Sequence, residues 1–389
     1  VARKNNINIP VMCYLEHITP TGACRLCLVE VDGYPKPMAA CVTYAIEGMK
    51  VYTDTEEVKK NRNKMMEFIL IKHPLDCPVC DKAGECMLQD TAYAFGIKEE
   101  SVKSEKPNKP VFDWKMIIHD ANLCVLCERC VKICHEITGN SALKIEDRGF
   151  NNIIVPAKGD TLNCDFCGLC VDSCPVGALL DKPYKHSVRS WDLEKKVSVC
   201  TNCPVGCTVE YDIKDDEVYR ARSTKESFVC SKGRYTYKYP DHPTRFLKPL
   251  INDGGFRETD IDTIVDKAST LISEVANNYG ADSVVILVGG RLSTESLFAY
   301  KILADKNSFR IFSEVDFEDN GYFDLYKRKF NTLDTVGTID DIKKSDLIFV
   351  IGSDLNTETL GVKWRLMNAV IHNDSKLVTI GVKKYEYDF

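Results

Sequence analysis

The chain has 389 residues, 44% hydrophobic and 28% charged, with a formal net charge of -6. That composition supports a buried core over two to four domains, and with no basic stripe carrying interleaved aromatics it argues against a nucleic-acid partner. No apolar run approaches the length of a membrane span, so membrane contact is expected only through partners.

Cysteine dominates the remaining signal. There are 19, all at or before Cys230. The odd count, the C-x-x-C grouping and the lack of a secretory start favour metal ligation in a reducing compartment over disulfides. The sequence does not begin with Met and its first residues read as the middle of a domain, so upstream sequence is expected.

The first group is Cys13, Cys24, Cys27 and Cys41. A close pair with one cysteine upstream and one downstream is a variant of the plant-type [2Fe-2S] plan, its first gap widened to the ten residues "YLEHITPTGA". The stretch "LCLVEVDGYPKPMAACV" reads as strand, turn and strand. A zinc ribbon is the alternative for this group.

"DTEEVKKNRNKMMEFILIKH" then reads as a helix, with Asp54 and Glu57 forming a capping-box-like start. Pro74 pushes His73 out of the helix. "HPLDCPVCDKAGEC" follows, and Gly84 can relax the loop between Cys80 and Cys86. Three thiolates, Cys77, Cys80 and Cys86, need a fourth donor, and His73 is the nearby candidate. A helix-capping histidine is the alternative. "KEESVKSEKPNKPVFDWK" (98–115) reads as a linker.

"CVLCERCVKIC" and "CDFCGLCVDSCP" are two copies of C-x2-C-x2-C-x3-C, the bacterial two-cluster ferredoxin signature, in which each fourth cysteine serves the other cluster. Cys124, Cys127, Cys130 and Cys174 thus form one set; Cys164, Cys167, Cys170 and Cys134 form the other. His135 replaces the trailing Pro of the first run and reads as a surface or supporting residue. After a second linker, "DKPYKHSVRSWDLEKKVSV" (181–199), come Cys200, Cys203, Cys207 and Cys230, a C-x2-C-x3-C unit plus a cysteine beyond a hairpin-like stretch. Zinc is again the alternative. Four groups of four cysteines and one of three use all 19, and His73 completes twenty ligands in five sites.

Beyond Cys230 the pattern is α/β. "DSVVILVGG", "SDLIFVIGSD" and "KLVTIGV" read as buried strands, with helices over "DIDTIVDKASTLISEVANNYG" and "TETLGVKWRLMNAVIHN", implying a parallel sheet that stops without closure at Phe389. There is no dinucleotide fingerprint and no P-loop. Five clusters in line point to an electron relay.

The order of motifs resembles the large iron–sulfur subunit, the G subunit, of bacterial NADH–quinone oxidoreductase (complex I). The resemblance runs along nearly the whole chain. It rests on "CYLEHITPTGACRLCLVEVDG" with Cys41, on His73 with its three cysteines, on the ferredoxin-like section, and on the Cys200–Cys230 unit. It implies an α+β multi-domain chain. A [2Fe-2S] β-grasp-like domain spans 1–53, and a [4Fe-4S] domain with one histidine and three cysteine ligands spans 54–100. A two-[4Fe-4S] ferredoxin domain spans 112–183, and a truncated molybdopterin-oxidoreductase-like domain 196–389. It implies one [2Fe-2S] and four [4Fe-4S] clusters, with no molybdopterin, FMN or NAD in this chain. Its partners would be an NADH-binding FMN flavoprotein, a small thioredoxin-like [2Fe-2S] subunit and downstream iron–sulfur and quinone-module subunits. Its place would be the cytoplasmic face of the inner membrane, held there through partners. No residue is expected to act as acid, base or nucleophile.

One departure is the full set of eight ferredoxin cysteines, where many members of that family keep one cluster. That set is similar to the catalytic subunit of NAD-dependent formate dehydrogenases and to the relay half of iron-only hydrogenases. The latter need further cysteines after Cys230, and there are none. The former need a Cys or selenocysteine on the metal, for which only Ser313 or Asp316 could substitute. Lys232 in "CSKGR" matches a pterin-adjacent lysine, and "GSDLNTET" (352–359) is similar to a former pterin-binding loop; both read as remnants. A surface lysine and a strand-to-helix turn are the plain alternatives.

Overall fold

A computed structural model describes residues 1–99, 102–147, 149–203, 205–225, 227–240, 242–313, 321–332 and 337–381. These form two compact units. The first joins 1–200, 207–237 and 339–389; the second joins 201–206 and 238–338.

The first unit opens with a small antiparallel sheet of β1 (Leu28–Val31) between β2 (Met38–Ala39) and β3 (Val51–Tyr52). Against it lies α1 (Glu56–Lys72), which buries Val58, Arg62 and Met66. Its N-cap is Thr55, whose hydroxyl accepts from Val58 N at 3.2 Å, not the expected Asp54. Thr55 has the extended backbone a cap needs, and Asp54 lies outside. Lys106, in the 98–115 stretch, donates to Leu70 and Ile71 O, carbonyls of the last turn of α1. The short α2 (Met87–Ala94) follows.

The ferredoxin-like section pairs β4 (Val111–Trp114) with β5 (Ile117–Asp120) and β5 with β8 (Leu179–Asp181), and β6 (Leu143–Glu146) with β7 (Ile153–Pro156). Its helices are α3 (Arg129–Glu136) and α4 (Leu169–Ser173). Strand alternation turns Ile117 and His119 inward on β5. The core here mixes Cys86, Cys130 and Cys174 with Met12, Leu26, Met66, Trp114 and Leu179.

The 181–199 stretch is more than a linker. Arg189 donates to Cys80 O at 3.0 Å and Pro78 O at 2.6 Å, and the Asp81 carboxylate accepts from His186 N at 3.0 Å. The stretch ends in β9 (Glu194–Val199), which pairs with the hairpin β10 (Thr208–Lys214) and β11 (Glu217–Ser223). Next comes α5 (Ser231–Tyr235). Also in this unit, β16 (Leu347–Ile351) and β17 (Lys376–Ile380) pair in parallel as expected, but as a two-stranded sheet whose strands are mostly exposed rather than buried, since neither gains a covering layer on both faces. The helix joining them, here α9 (Leu360–Asn373), buries Leu360 and Trp364 against Ile18, Ile133 and Leu169. The cysteine-free tail therefore contributes to the cysteine-rich core.

The second unit holds the hairpin β12 (Leu250–Asn252) and β13 (Phe256–Glu258), then α6 (Ile261–Tyr279). A parallel pair follows, β14 (Val285–Val288) and β15 (Arg310–Ser313), with α7 (Thr294–Asn307) between them and α8 (Tyr322–Phe330) after. None of α6 is buried; Ile261, Val265, Leu271 and Val275 face outward.

Arg234 on α5 is the main tie among these pieces of the first unit. It is 1% exposed and grips Asp172 at 2.8 and 2.9 Å and Asp181 at 3.0 and 2.5 Å. The helix carrying Asp172 and the strand carrying Asp181 are thus held to α5. Arg234→Met would strand the buried Asp181 carboxylate and the partly buried Asp172 carboxylate, and a loss of about 3–5 kcal/mol is expected, read as the denaturant midpoint of the anaerobic protein.

Candidate metal centres

In the first cysteine set, the loop after Cys13 returns so that Met12 N donates to Cys24 Sγ at 3.4 Å. Cys13 shares a side-chain hydrogen bond with Cys24, and Cys41 interacts with Cys27, Cys24 and Cys13. The hydrogen bond from Cys24 outweighs burial and pushes the Cys13 thiol down to about 7. All four thiols of the set are therefore brought together.

The histidine set forms where α1 stops. His73 is the C-cap, with φ -84° and ψ 124°, the extended geometry that Pro74 demands. His73, Cys77, Cys80 and Cys86 line one cavity with Gln89, Leu123 and Gly177. Gly84 sits at φ +82°, as the sharp loop requires. His73 is 9% exposed, and its Nδ1 has no hydrogen-bond partner. Burial, with Lys106 nearby, pushes its pKa down to about 4, so the imidazole is neutral and able to donate a lone pair.

The two ferredoxin runs repeat one another in backbone geometry. Leu126 and Glu128 in the first, and Phe166 and Gly168 in the second, take positive φ. This turns Leu126 N onto Cys124 Sγ at 3.4 Å and Phe166 N onto Cys164 Sγ at 3.3 Å. Cys124, Cys127, Cys130 and Cys174 line a second cavity. Cys134 faces Cys164, Cys167 and Cys170 instead, and takes a bond from Ala142 N at 3.3 Å. The crossed grouping expected from spacing is thus the one the fold brings together. His135 is exposed and bonded to Ser141 Oγ at 2.8 Å.

In the last set, Cys200 N donates to Cys207 O at 2.8 Å, and Cys200 Sγ lies beside α5, whose N-cap is Cys230. Cys203 stands on the 201–206 loop, which belongs to the second unit. Lys232 Nζ donates to Thr357 O at 3.0 Å, so it meets the 352–359 loop directly. Ser313 ends β15; Asp316 lies outside the described residues.

The donor sets suit iron–sulfur clusters on two further grounds. Burial drives Cys124 up to about 11, Cys127 up to about 12, and Cys130 and Cys170 well above their ordinary value. Such thiols stay neutral unless a metal cation takes the place of the proton. His119, missed in the sequence, is fully buried on the wall of the Cys124 cavity, and neither ring nitrogen has a partner. It stacks on Trp114 and Phe112 at 5.0 and 5.7 Å between centroids. A buried ring N–H needs an acceptor, and cluster sulfur would supply one. Among the described residues no three His, Cys, Asp or Glu side chains converge as a single-ion site. Zinc would draw its sulfurs within about 4 Å of one another; the donors that line the His73 and Cys124 cavities surround a space instead. No helix among the described residues is long and apolar enough to cross a membrane.

Five family models match in chain order. They are a 2Fe-2S iron–sulfur cluster binding domain over 1–56, the NADH-ubiquinone oxidoreductase-G iron–sulfur binding region over 62–101, and the NADH-quinone oxidoreductase subunit 3 ferredoxin-like domain over 115–180. The molybdopterin oxidoreductase Fe4S4 domain follows over 193–242 and molybdopterin oxidoreductase over 245–387. The NADPH-Fe(3+) oxidoreductase subunit alpha of Geobacter sulfurreducens is 35% identical, over 97% of this chain and 45% of its own. The G subunit of NADH-quinone oxidoreductase from Rickettsia felis is 31% identical over 96% and 55%. The G 2 subunit of NADH-quinone oxidoreductase from Rhizobium meliloti is 29% identical over 100% and 46%. A chain of an NAD+-reducing [NiFe]-hydrogenase in the H2-reduced state is 29% identical, with TM-score 0.44, over 48% of this chain and 81% of that one. The chain spans about half the length of the curated relatives it matches. With 2Fe-2S and 4Fe-4S binding domains in this order, the chain resembles, along its length, the large iron–sulfur subunit of NADH–quinone oxidoreductases.

Proposed function

We propose that this chain is the electron-wiring subunit of an NADH-oxidising complex. A flavoprotein partner with FMN takes hydride from NADH and passes on single electrons. A small thioredoxin-like [2Fe-2S] subunit and further iron–sulfur and quinone-module subunits complete the route to quinone. The complex sits on the cytoplasmic side of the membrane and reaches it only through partners.

The observation that carries this reading is the succession of four-donor sets, two of them lining adjacent cavities. One [2Fe-2S] centre falls to Cys13, Cys24, Cys27 and Cys41. Four [4Fe-4S] centres fall to the His73 set, the two crossed ferredoxin sets and the Cys200, Cys203, Cys207 and Cys230 set. When bound, the clusters supply one-electron storage and transfer. The chain's residues hold them, exclude water and set their surroundings: backbone N–H groups point at Cys24, Cys124, Cys134 and Cys164 sulfur. Lys232, bonded to Thr357 O, serves packing rather than a pterin.

A second reading changes only the ends of the wire. The relative from Geobacter sulfurreducens is named for NADPH and Fe(3+), which favours a nicotinamide–acceptor complex without quinone.

Elemental analysis of the anaerobically purified protein is expected to give about 18 iron per chain, from one two-iron and four four-iron clusters, without molybdenum or tungsten. One molybdenum or tungsten per chain would make it instead a formate-dehydrogenase-like catalytic subunit, with Ser313 or Asp316 as metal ligand. His73→Ala is expected to lose or convert one cubane and to spare the other four centres. Unchanged iron with all electron paramagnetic resonance signals intact would remove His73 from the ligands.

A further inference from the structure

Arg129 opens α3 between two ligand sets and is 6% exposed. Its guanidinium donates to Tyr14 O at 2.7 Å, one residue after Cys13. It also donates to Ser173 O at 3.4 Å, one residue before Cys174, and approaches Met87 Sδ at 3.3 Å. Its Nε has no partner. Among the described residues no carboxylate forms an ion pair with it; Asp172, the acid beside Ser173, is taken by Arg234. The little exposure Arg129 keeps lies along a groove it lines with Tyr14 and Met87.

A guanidinium buried without a carboxylate is costly, and carbonyl dipoles offset only part of that cost. It remains charged at any ordinary pH. Burial acts against its charge, and Cys127, Cys13, Cys174 and Cys24 are the groups that favour it. Two of those belong to the first set and two to the Cys124 set. The missing anion is therefore shared between two neighbouring centres.

We propose that Arg129 is a positioning cation common to two iron–sulfur centres, the one held by Cys13, Cys24, Cys27 and Cys41 and the one held by Cys124, Cys127, Cys130 and Cys174. It stabilises the extra electron on either and so raises both potentials together. The proposal rests on the relay reading above and adds a residue that binds no iron.

The test is a potentiometric titration of the anaerobic holoprotein with electron paramagnetic resonance detection, signals being assigned with Cys13→Ser and Cys124→Ser. In Arg129→Met both centres are expected to become harder to reduce by at least tenfold, about 59 mV for a one-electron couple. The His73 centre is expected to move less. Arg129→Lys, which keeps the charge, is expected to hold both within tenfold. Unshifted potentials, a shift in one centre alone, or an equal shift in all five overturns the proposal. Should Arg129→Met lose either centre, the wild type decides. Spin–spin splitting between these two reduced centres supports the proposal, and its absence overturns it. Iron far below about 18 per wild-type chain would instead sink the relay reading; full iron with unmoved potentials sinks only the role of Arg129.

Discussion

A buried thiol binds iron only as thiolate, and a buried thiolate is tolerable only beside positive charge. That constraint governs the first unit. Cys86, Cys130 and Cys174 sit in the same core as Met66, Trp114 and Leu179, so the hydrophobic interior and the donor sets are one object. As neutral thiols the sulfurs pack there as small hydrophobes, and only as thiolates would they need charge or donors beside them. The core is organised to deliver them, with turned backbone amides, a neutral imidazole and buried cations placed around them.

A second layer of charge ties the pieces together. Arg220 on β11 pairs with Glu85 at 2.7 and 2.8 Å, next to Cys86, and with Asp212, and its guanidinium lies over the Tyr184 ring at 4.1 Å. Burial alone would raise the Glu85 carboxyl, but Arg220, Lys82 and Arg222 outweigh it and hold it at about 2. Lys363 on α9 reaches Asn140 and Asp165, beside Cys164. Glu85 and Asp165 each sit one residue from a proposed ligand, and the bonds that reach them span long stretches of chain. The hairpin and α9 thereby act as splints for loops that have little regular structure of their own.

The donor sets were legible because ligand chemistry is local. C-x2-C spacing, a proline after His73 and a glycine between Cys80 and Cys86 each state a backbone need that the fold meets. Three of the four parallel strands were legible from their apolar runs, but they are largely exposed rather than buried, and β15 carries too little apolar signal to have been read as a strand. The groups that surround the sulfurs were not. Arg129 and His119 carry no motif, since a lone arginine or histidine is given meaning only by what the fold buries beside it. Nor did composition reveal that 181–199, rich in Lys and Asp, clamps the 78–84 loop, or that α9 packs on α3 and α4. Those contacts depend on tertiary partners far away in sequence. The cap of α1 moved by one residue because either Asp54 or Thr55 suits that role, and backbone angle decides between them.

The wall between the His73 cavity and the Cys124 cavity is thin. Gly177 follows Cys174 by three residues, and a methyl group added there would meet Cys80 Sγ at 2.5 Å. At this position there is no space for a side chain beside the Cys80 sulfur. A side chain at this one position would press on the sulfur of Cys80, a proposed ligand, and the loop or the thiol would have to shift. The absence of a single carbon atom thus leaves the Cys80 sulfur its place in the donor set, and the glycine acts as a spacer of zero thickness.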